Sequence, residues 1–417
     1  MSRSVLIIGG GVVGLSTAYY ARQKGFDVTV VERGPRDHDC CSLGNAGMIV
    51  PSHFVPLAAP GMVGYGLRMM FNRESPFTIR PRLEPALLDW AWKFMRAANA
   101  GHVARSAPIL RDLHLGSRCC YEELAEQSGN AFGLVQQGLL MICKTEPTFE
   151  EEKHLAEMAQ RLGLPGEILT PEQAAQRDPG VRMDIAGAVY YPQDCHLTPQ
   201  KFMAWLTQQL EQEGVEFAWS TEVTGWRTGD HRIKAVRTTQ GELSADEVVL
   251  AGGSWTPTVA RGLGLRLPMQ AGKGYSITLP HPKQKPNHCS ILVEARVAVT
   301  PMGEALRFAG TMEVTGLDES IDPARVNGIL KSIPAYFPEF GPDDFRGLPA
   351  WSGLRPCSPD GLPYVGRTGW YANLSLAAGH AMMGLSLGPI TGKLISEILS
   401  GETPSLDIRA LSPDRYA

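Results

Sequence analysis

Apolar residues follow three spacings along this chain, and each predicts a different kind of element. Short unbroken runs bounded by glycine appear in "SVLIIGG" and again in "ADEVVLAGG". Runs of that kind predict strands covered on both faces, as in a parallel sheet. Between residues 266 and 348, "YSITL", "ARVAVT" and "ALRFAGTMEV" alternate apolar with polar positions. That period predicts antiparallel strands with one face covered. Helical spacing is clear in "GVVGLSTAYYARQKG", in the stretch from "LLDWAWKF" to "YEELAEQ", and in "LTPQKFMAWLTQQLEQEG", with Thr198 as N-cap and Pro199 at the first position. It returns near the end in "GPITGKLISEIL", where Pro389 suits a first turn and Leu394, Ile395, Ile398 and Leu399 make one apolar face. "VPLAAPGMVGYGLRMMF", residues 55–71, has no clean period; it reads either as a buried loop or as a lid that meets a quinone or a membrane surface.

A length of 417 residues predicts two or three domains. A hydrophobic fraction of 43%, a charged fraction of 20% and a net charge of −4 describe a globular protein without the basic footprint of a nucleic-acid binder. The eight cysteines form no CxxC pair, which fits reduced thiols in a reducing compartment and no metal site. Glycines inside the N-terminal apolar stretch favour a strand and helix over a signal peptide, and no run of about 20 apolar residues predicts a membrane span. The expected location is cytoplasmic, with a peripheral place on the inner face of the membrane as the variant.

The first strand, helix and second strand carry Gly9-x-Gly11-x-x-Gly14 and, at the end of "DVTVVE", Glu32. In a dinucleotide-binding unit the first glycine permits a tight turn, the second lets the backbone approach a pyrophosphate, and the third lets helix and strand pack closely. The acid then accepts from a ribose. The motif alone does not separate FAD from NAD. Two later features favour a flavin: the small-residue loop "CCSLGNAG", and the glycines at 379, 384 and 388 that lead into the last helix, whose N-terminus would favour negative charge beside it.

"IIGGGVVGLSTAYY", "CSLGNAGMIVPS", "GKGYSITLP", "SGLRPCSPDGLPYVGRT" and "AAGHAMMGLSLGPITGKLISEIL" stand in one order along nearly the whole chain. In that order they resemble the FAD-dependent D-amino-acid dehydrogenases of the D-amino-acid/glycine oxidase superfamily. The resemblance implies a mixed α/β and α+β fold: a Rossmann-like FAD-binding domain from residues 1–85, 145–265 and 350–417, and a discontinuous substrate domain, residues 86–144 and 266–349, on a large antiparallel sheet. It places FAD contacts at Gly9, Gly11, Gly14, Glu32, Arg33, Ser42, Asn45, Gly47, Val223, Gly252, Trp255 and Gly384, with Gly379, Leu385 and Ser386 at the same turn. Cys357 does not stand where the sarcosine-oxidase branch attaches its flavin, so non-covalent FAD is implied. His53 replaces an aromatic phenol of the family, and "GHAMMG" replaces a "GHGTLG"-like turn.

The implied reaction is oxidative deamination of a D-amino acid by hydride transfer from Cα, with electrons passed on to a quinone or an artificial dye; small or cyclic substrates such as D-proline or D-hydroxyproline suit the two changes. Arg355, alone among apolar residues, glycines and prolines, is expected to hold the substrate carboxylate, or else to pair with Asp360 or another acid. Tyr275 is expected to touch the substrate or to pack on its sheet. His380 would meet the flavin or the amine, and His53 would accept a proton; each could equally be structural. "DCHLTP" reads as a loop and not as a metal cluster. An oxidase using dioxygen, an NAD enzyme built on the first unit alone, and a non-catalytic flavin-binding subunit are the competing readings.

Overall fold

The computed structural model describes residues 2–69 and 74–417. Met70 and Phe71, which close the aperiodic stretch, lie outside the described residues.

Two sheets organise the molecule. The first has six strands in the order Tyr364–Arg367, Leu374–Ala378, Glu247–Leu250, Ser4–Ile8, Asp27–Val31 and Glu216–Ala218. All neighbours are parallel except the first pair. The unbroken apolar run at its centre has the expected cause: Val5 and Ile7 pack into one core, Leu6 and Ile8 into another on the opposite face. Helices Val12–Gln23 and Gly384–Ser400 cover the first face. They touch so closely that a Cβ on Gly392 would lie 2.4 Å from the Ser16 backbone.

The last helix begins earlier than its sequence suggests. Pro389 lies inside Gly384–Ser400 and not in its first turn. Proline cannot donate to the carbonyl four residues back. That carbonyl, Leu385 O, instead accepts the Tyr121 hydroxyl at 2.6 Å, so the helix continues without an orphaned buried acceptor.

The second sheet has nine strands: Ala350–Cys357, Gln270–Leu279, Ala305–Val314, Val297–Met302, Cys289–Leu292, Leu139–Cys143, Gly187–Tyr191 and Glu167–Leu169 in order, with Phe77–Ile79 beside Ala305–Val314. It is mostly antiparallel, with parallel pairings at Cys289–Leu292 and at Phe77–Ile79. Its pairing does not follow the segment boundaries expected from sequence. Phe77–Ile79, Glu167–Leu169, Gly187–Tyr191 and Ala350–Cys357 all hydrogen-bond into this sheet, because strand membership depends on partners far away in the chain. The long helical stretch is two helices, Pro85–Ala97 and Ala100–Gln127, separated where the Asn99 side chain accepts from His102 N and caps the second. Thr198 does precede the Pro199–Gln212 helix, but its hydroxyl makes no capping bond.

Candidate active site

A cavity of about 500 Å³ runs from the first sheet to the edge of the second. Its floor is the dinucleotide unit. Gly9 has φ +116°, and a Cβ there would stand 2.5 Å from Ala251 O; at Gly14 a Cβ would stand 1.9 Å from Gly9 O. These two glycines make the turn and the close packing, so Gly14 lies behind the wall while Gly9 and Gly11 form it. The Ser42 hydroxyl accepts from Val12 N at 3.0 Å and holds the small-residue loop against the helix start.

Glu32 accepts from Gly10 N at 2.7 Å and from Gly34 N at 2.8 Å, which fixes its carboxylate at the end of the second strand. Arg33 stacks on Trp255, 3.7 Å from its ring centre, and with Val223 and Gly252 closes that end. Asn45, Gly384 and Leu385 line the opposite end, beside Arg355 and His380.

These residues fit FAD on three grounds. The Val12–Gln23 and Gly384–Ser400 helices both start at the cavity with no side-chain cap from their N-cap residues and no acid in the first turn; Ser42 takes Val12 N, and the other first-turn N–H groups have no side-chain acceptor among the described residues, which leaves them to an anion. The carboxylate of Glu32 stands at the end of the second strand, on the cavity wall, where it would accept from ribose hydroxyls. The wall is polar at the phosphate end and apolar at Val12, Val13, Ala377 and Ala378.

Arg355 stands on the wall at the far end. It is half-buried, and the cavity is its open side. The only hydrogen bond of its guanidinium among the described residues runs from Nη1 to Thr311 O, 2.5 Å. Burial holds its pKa below the ordinary arginine value, with Cys41 and Cys357 as neighbours. Asp360 is not its partner: that carboxylate binds Arg415 at 2.8 Å and 3.0 Å. A cation with donors to spare and no carboxylate is a receptor for an anion.

Other expected residues lie elsewhere. Tyr275 is off the cavity wall. It sits in the core on the reverse face of the large sheet, and its hydroxyl donates to Glu313 Oε2 at 2.9 Å. His380 is on the wall, but its Nε2 pairs with the Thr391 hydroxyl at 2.9 Å, and burial lowers its pKa to about 3, so it is neutral and tied to the last helix. His53 is off the wall. It joins a half-buried polar group in which Ser52 Oγ contacts both His53 Nδ1 and Asp194. Burial lowers the His53 pKa to about 4 and raises that of Asp194 to about 7. Ser386 meets His114 Nδ1 and Val50 N, Gly47 lies under Leu197 O, and Gly379 lies under the Tyr364 ring; these three support the wall from behind. Cys357 belongs to an apolar cluster with Met312 and Ala381.

Sequence reasoning missed Cys40, Cys41 and Trp226 on the wall. It also missed Arg307, which is buried behind it and donates from Nη1 to Leu43 O and Asn45 O of the small-residue loop. Nothing in "ALRFAG" distinguishes that arginine from one on a solvent face.

Comparison with known proteins agrees with this geometry. The family description "FAD dependent oxidoreductase" (DAO) matches residues 4–398. D-amino acid dehydrogenase of Bradyrhizobium diazoefficiens is 33% identical over 422 residues, covering 99% of each chain. A protein of the same name from Cereibacter sphaeroides is 34% identical over 424 residues, covering 99% of this chain and 95% of its own. Among solved structures, glycine oxidase from Geobacillus kaustophilus superimposes with a TM-score of 0.79 at 23% identity over all of both chains, and L-proline dehydrogenase from P. horikoshii with 0.75 at 19%, covering 100% of this chain and 98% of its own. The glycine turn, the acid-free helix starts at the cavity and the matched length lead to one conclusion: this chain is a flavoenzyme and belongs to the DAO family of FAD-dependent oxidoreductases.

Proposed function

We propose that the protein oxidises D-amino acids to imino acids, which are then released and hydrolysed, and that its substrates are small or cyclic, such as D-proline or D-hydroxyproline. The observation that carries this reading is Arg355 on the cavity wall with a neutral acceptor only. Its planar fork would take the substrate carboxylate through two parallel bonds and so fix where Cα lies. FAD, when bound, supplies the acceptor for the hydride that leaves Cα. The chain's part is orientation and charge. The start of the last helix favours negative charge at that end of the cavity, and neutral His380 adds no competing cation. The amine must be neutral for its lone pair to form the C=N bond, and its proton passes to solvent.

Preference for compact side chains is supported by the residues around the guanidinium. Met312, Cys357 and Ala381 lie there in an apolar cluster backed by Phe77, Trp90 and Phe94. The electron acceptor in this reading is a quinone met at a membrane surface. Among the described residues no helix is long and apolar enough to cross a membrane. However, Leu88, Trp92 and Met95 are exposed along one side of Pro85–Ala97, and Leu83 just before it is 99% exposed. Anaerobic titration of the flavin-loaded protein with D- and L-amino acids tests the reading: bleaching by D-proline or another small D-amino acid is expected, and bleaching by L-amino acids alone would overturn it. Rapid reoxidation by air with one peroxide per turnover, and none by a quinone, would replace the dehydrogenase with an oxidase.

A further inference from the structure

The large sheet breaks register once beside Arg355. Gln270–Leu279 pairs with Ala305–Val314 through Gly272 with Val314 and Lys273 with Glu313, and resumes at Tyr275 with Gly310. Gly274 is therefore left facing both Thr311 and Met312, which is the count of a β-bulge. Thr311 takes φ +67° there. A β-branched residue in the left-handed region is a strained outlier that persists only where its surroundings over-determine it, and such outliers gather at functional sites. The bulge presents Thr311 O to Arg355 Nη1 at 2.5 Å.

Across the sheet the second strand completes the seat. Arg355 pairs with Gly272, so its side chain rises from the same face as Gly272 and Gly274. It runs over Gly274 so closely that a Cβ on Gly274 would stand 2.1 Å from Nη2 and 2.2 Å from Cζ. One position on each of the next two strands is thus shaped around one guanidinium: a missing side chain beneath it on Gln270–Leu279, and beyond that, on Ala305–Val314, a carbonyl turned toward it by a strained residue.

We infer that Thr311 and Gly274 are positioning residues that set the plane of the Arg355 guanidinium, leaving its remaining donors as a fork for the substrate carboxylate. This rests on the reading of Arg355 as the carboxylate clamp. The bulge acts through Arg355 and touches no reacting atom, so its loss should weaken carboxylate binding more than turnover of the bound complex.

The test uses the flavin-loaded protein, a D-amino acid that bleaches it, and benzoate as a non-reacting carboxylate followed by the change in flavin absorbance. Gly274→Ala meets only the far end of a flexible side chain, so the fold should hold while the guanidinium is displaced. KM and the benzoate Kd should both rise at least tenfold, with kcat within about threefold of the parent and flavin content unchanged. Should Gly274→Ala lose its flavin, Thr311→Pro, whose ring forbids a positive φ, is read in its place by the same benzoate titration. If the displaced variant binds benzoate and substrate as the parent does while Arg355→Met binds neither, the seat is wrong and the clamp stands. If Arg355→Met also binds both, the clamp reading falls, and the seat with it.

Discussion

The two faces of the large sheet treat buried charge in opposite ways. On the reverse face, Lys273 is 2% exposed and surrounded by acceptors: Ser320 O at 2.7 Å, Asp318 at 3.3 Å and Glu313 at 3.8 Å. Tyr275 closes that group through Glu313, and the whole packs on the Pro323–Tyr336 helix. On the cavity face, Arg307 and Arg355 have neutral hydrogen-bond partners only among the described residues. Arg307 donates to Thr278 Oγ1, Leu43 O and Asn45 O, and burial lowers its pKa to about 10. Charge closed on itself is structure; Arg307 spends its donors on the cofactor loop, and Arg355, held by one carbonyl, keeps donors open to the cavity. The difference is invisible in composition, since both faces are built from alternating residues of the same strands.

The comparison is broken most severely by Arg355→Met. Loss of the fork should reduce kcat/KM by about a hundredfold or more, corresponding to about 3–5 kcal/mol, with flavin retained; steady-state kinetics and the absorbance spectrum check both halves. Arg355→Lys should recover only part, because a point charge does not fix the carboxylate plane. On the reverse face the same kind of removal should affect stability instead. Lys273→Met strands Glu313 and should cost about 3 kcal/mol in urea unfolding, while KM for the substrate stays near the parent value. A matched rise in KM would show that the two faces are not independent.

Arg307→Met tests the intermediate case, a cavity-face arginine that serves the cofactor loop. Two backbone carbonyls lose a charged donor, so stability should fall by about 2 kcal/mol and FAD should dialyse away faster, with KM little changed in protein that keeps its flavin. Tyr275→Phe should have the smallest effect: about 1 kcal/mol from one lost hydrogen bond, and no change in kcat or KM. A large rise in KM in this variant would return Tyr275 to the substrate side.

Legibility in the sequence followed how local the information is. The dinucleotide turn could be read because Gly9, Gly11, Gly14 and Glu32 encode backbone geometry within one strand–helix–strand unit. Arg355 could be read because its neighbours exclude a solvent face. Tyr275 could not, because which face of its strand meets the cavity is set by pairing with Ala350–Cys357, where Arg355 stands opposite Gly272, and that strand is far away in the chain. His53 reads from sequence either as a proton acceptor or as a structural histidine, and only Ser52 and Asp194, the latter far along the chain, show it drawn into a half-buried polar group. Pro389 was read as a helix start because the sequence could not show that Tyr121 would take the freed carbonyl.

The order of strands in the six-stranded sheet also bears on how the chain is made. Ser4–Ile8 pairs on one side with Asp27–Val31 soon after it, but on the other with Glu247–Leu250, whose own far neighbour is Leu374–Ala378. At ribosomal speed the second pairing is delayed by tens of seconds, on the order of the time needed to synthesise the intervening chain. Throughout that interval an apolar strand has an open, unpaired edge, the kind of surface that recruits other nascent chains. Yield in cells should therefore depend on translation rate and holding chaperones more than the finished protein's stability would suggest.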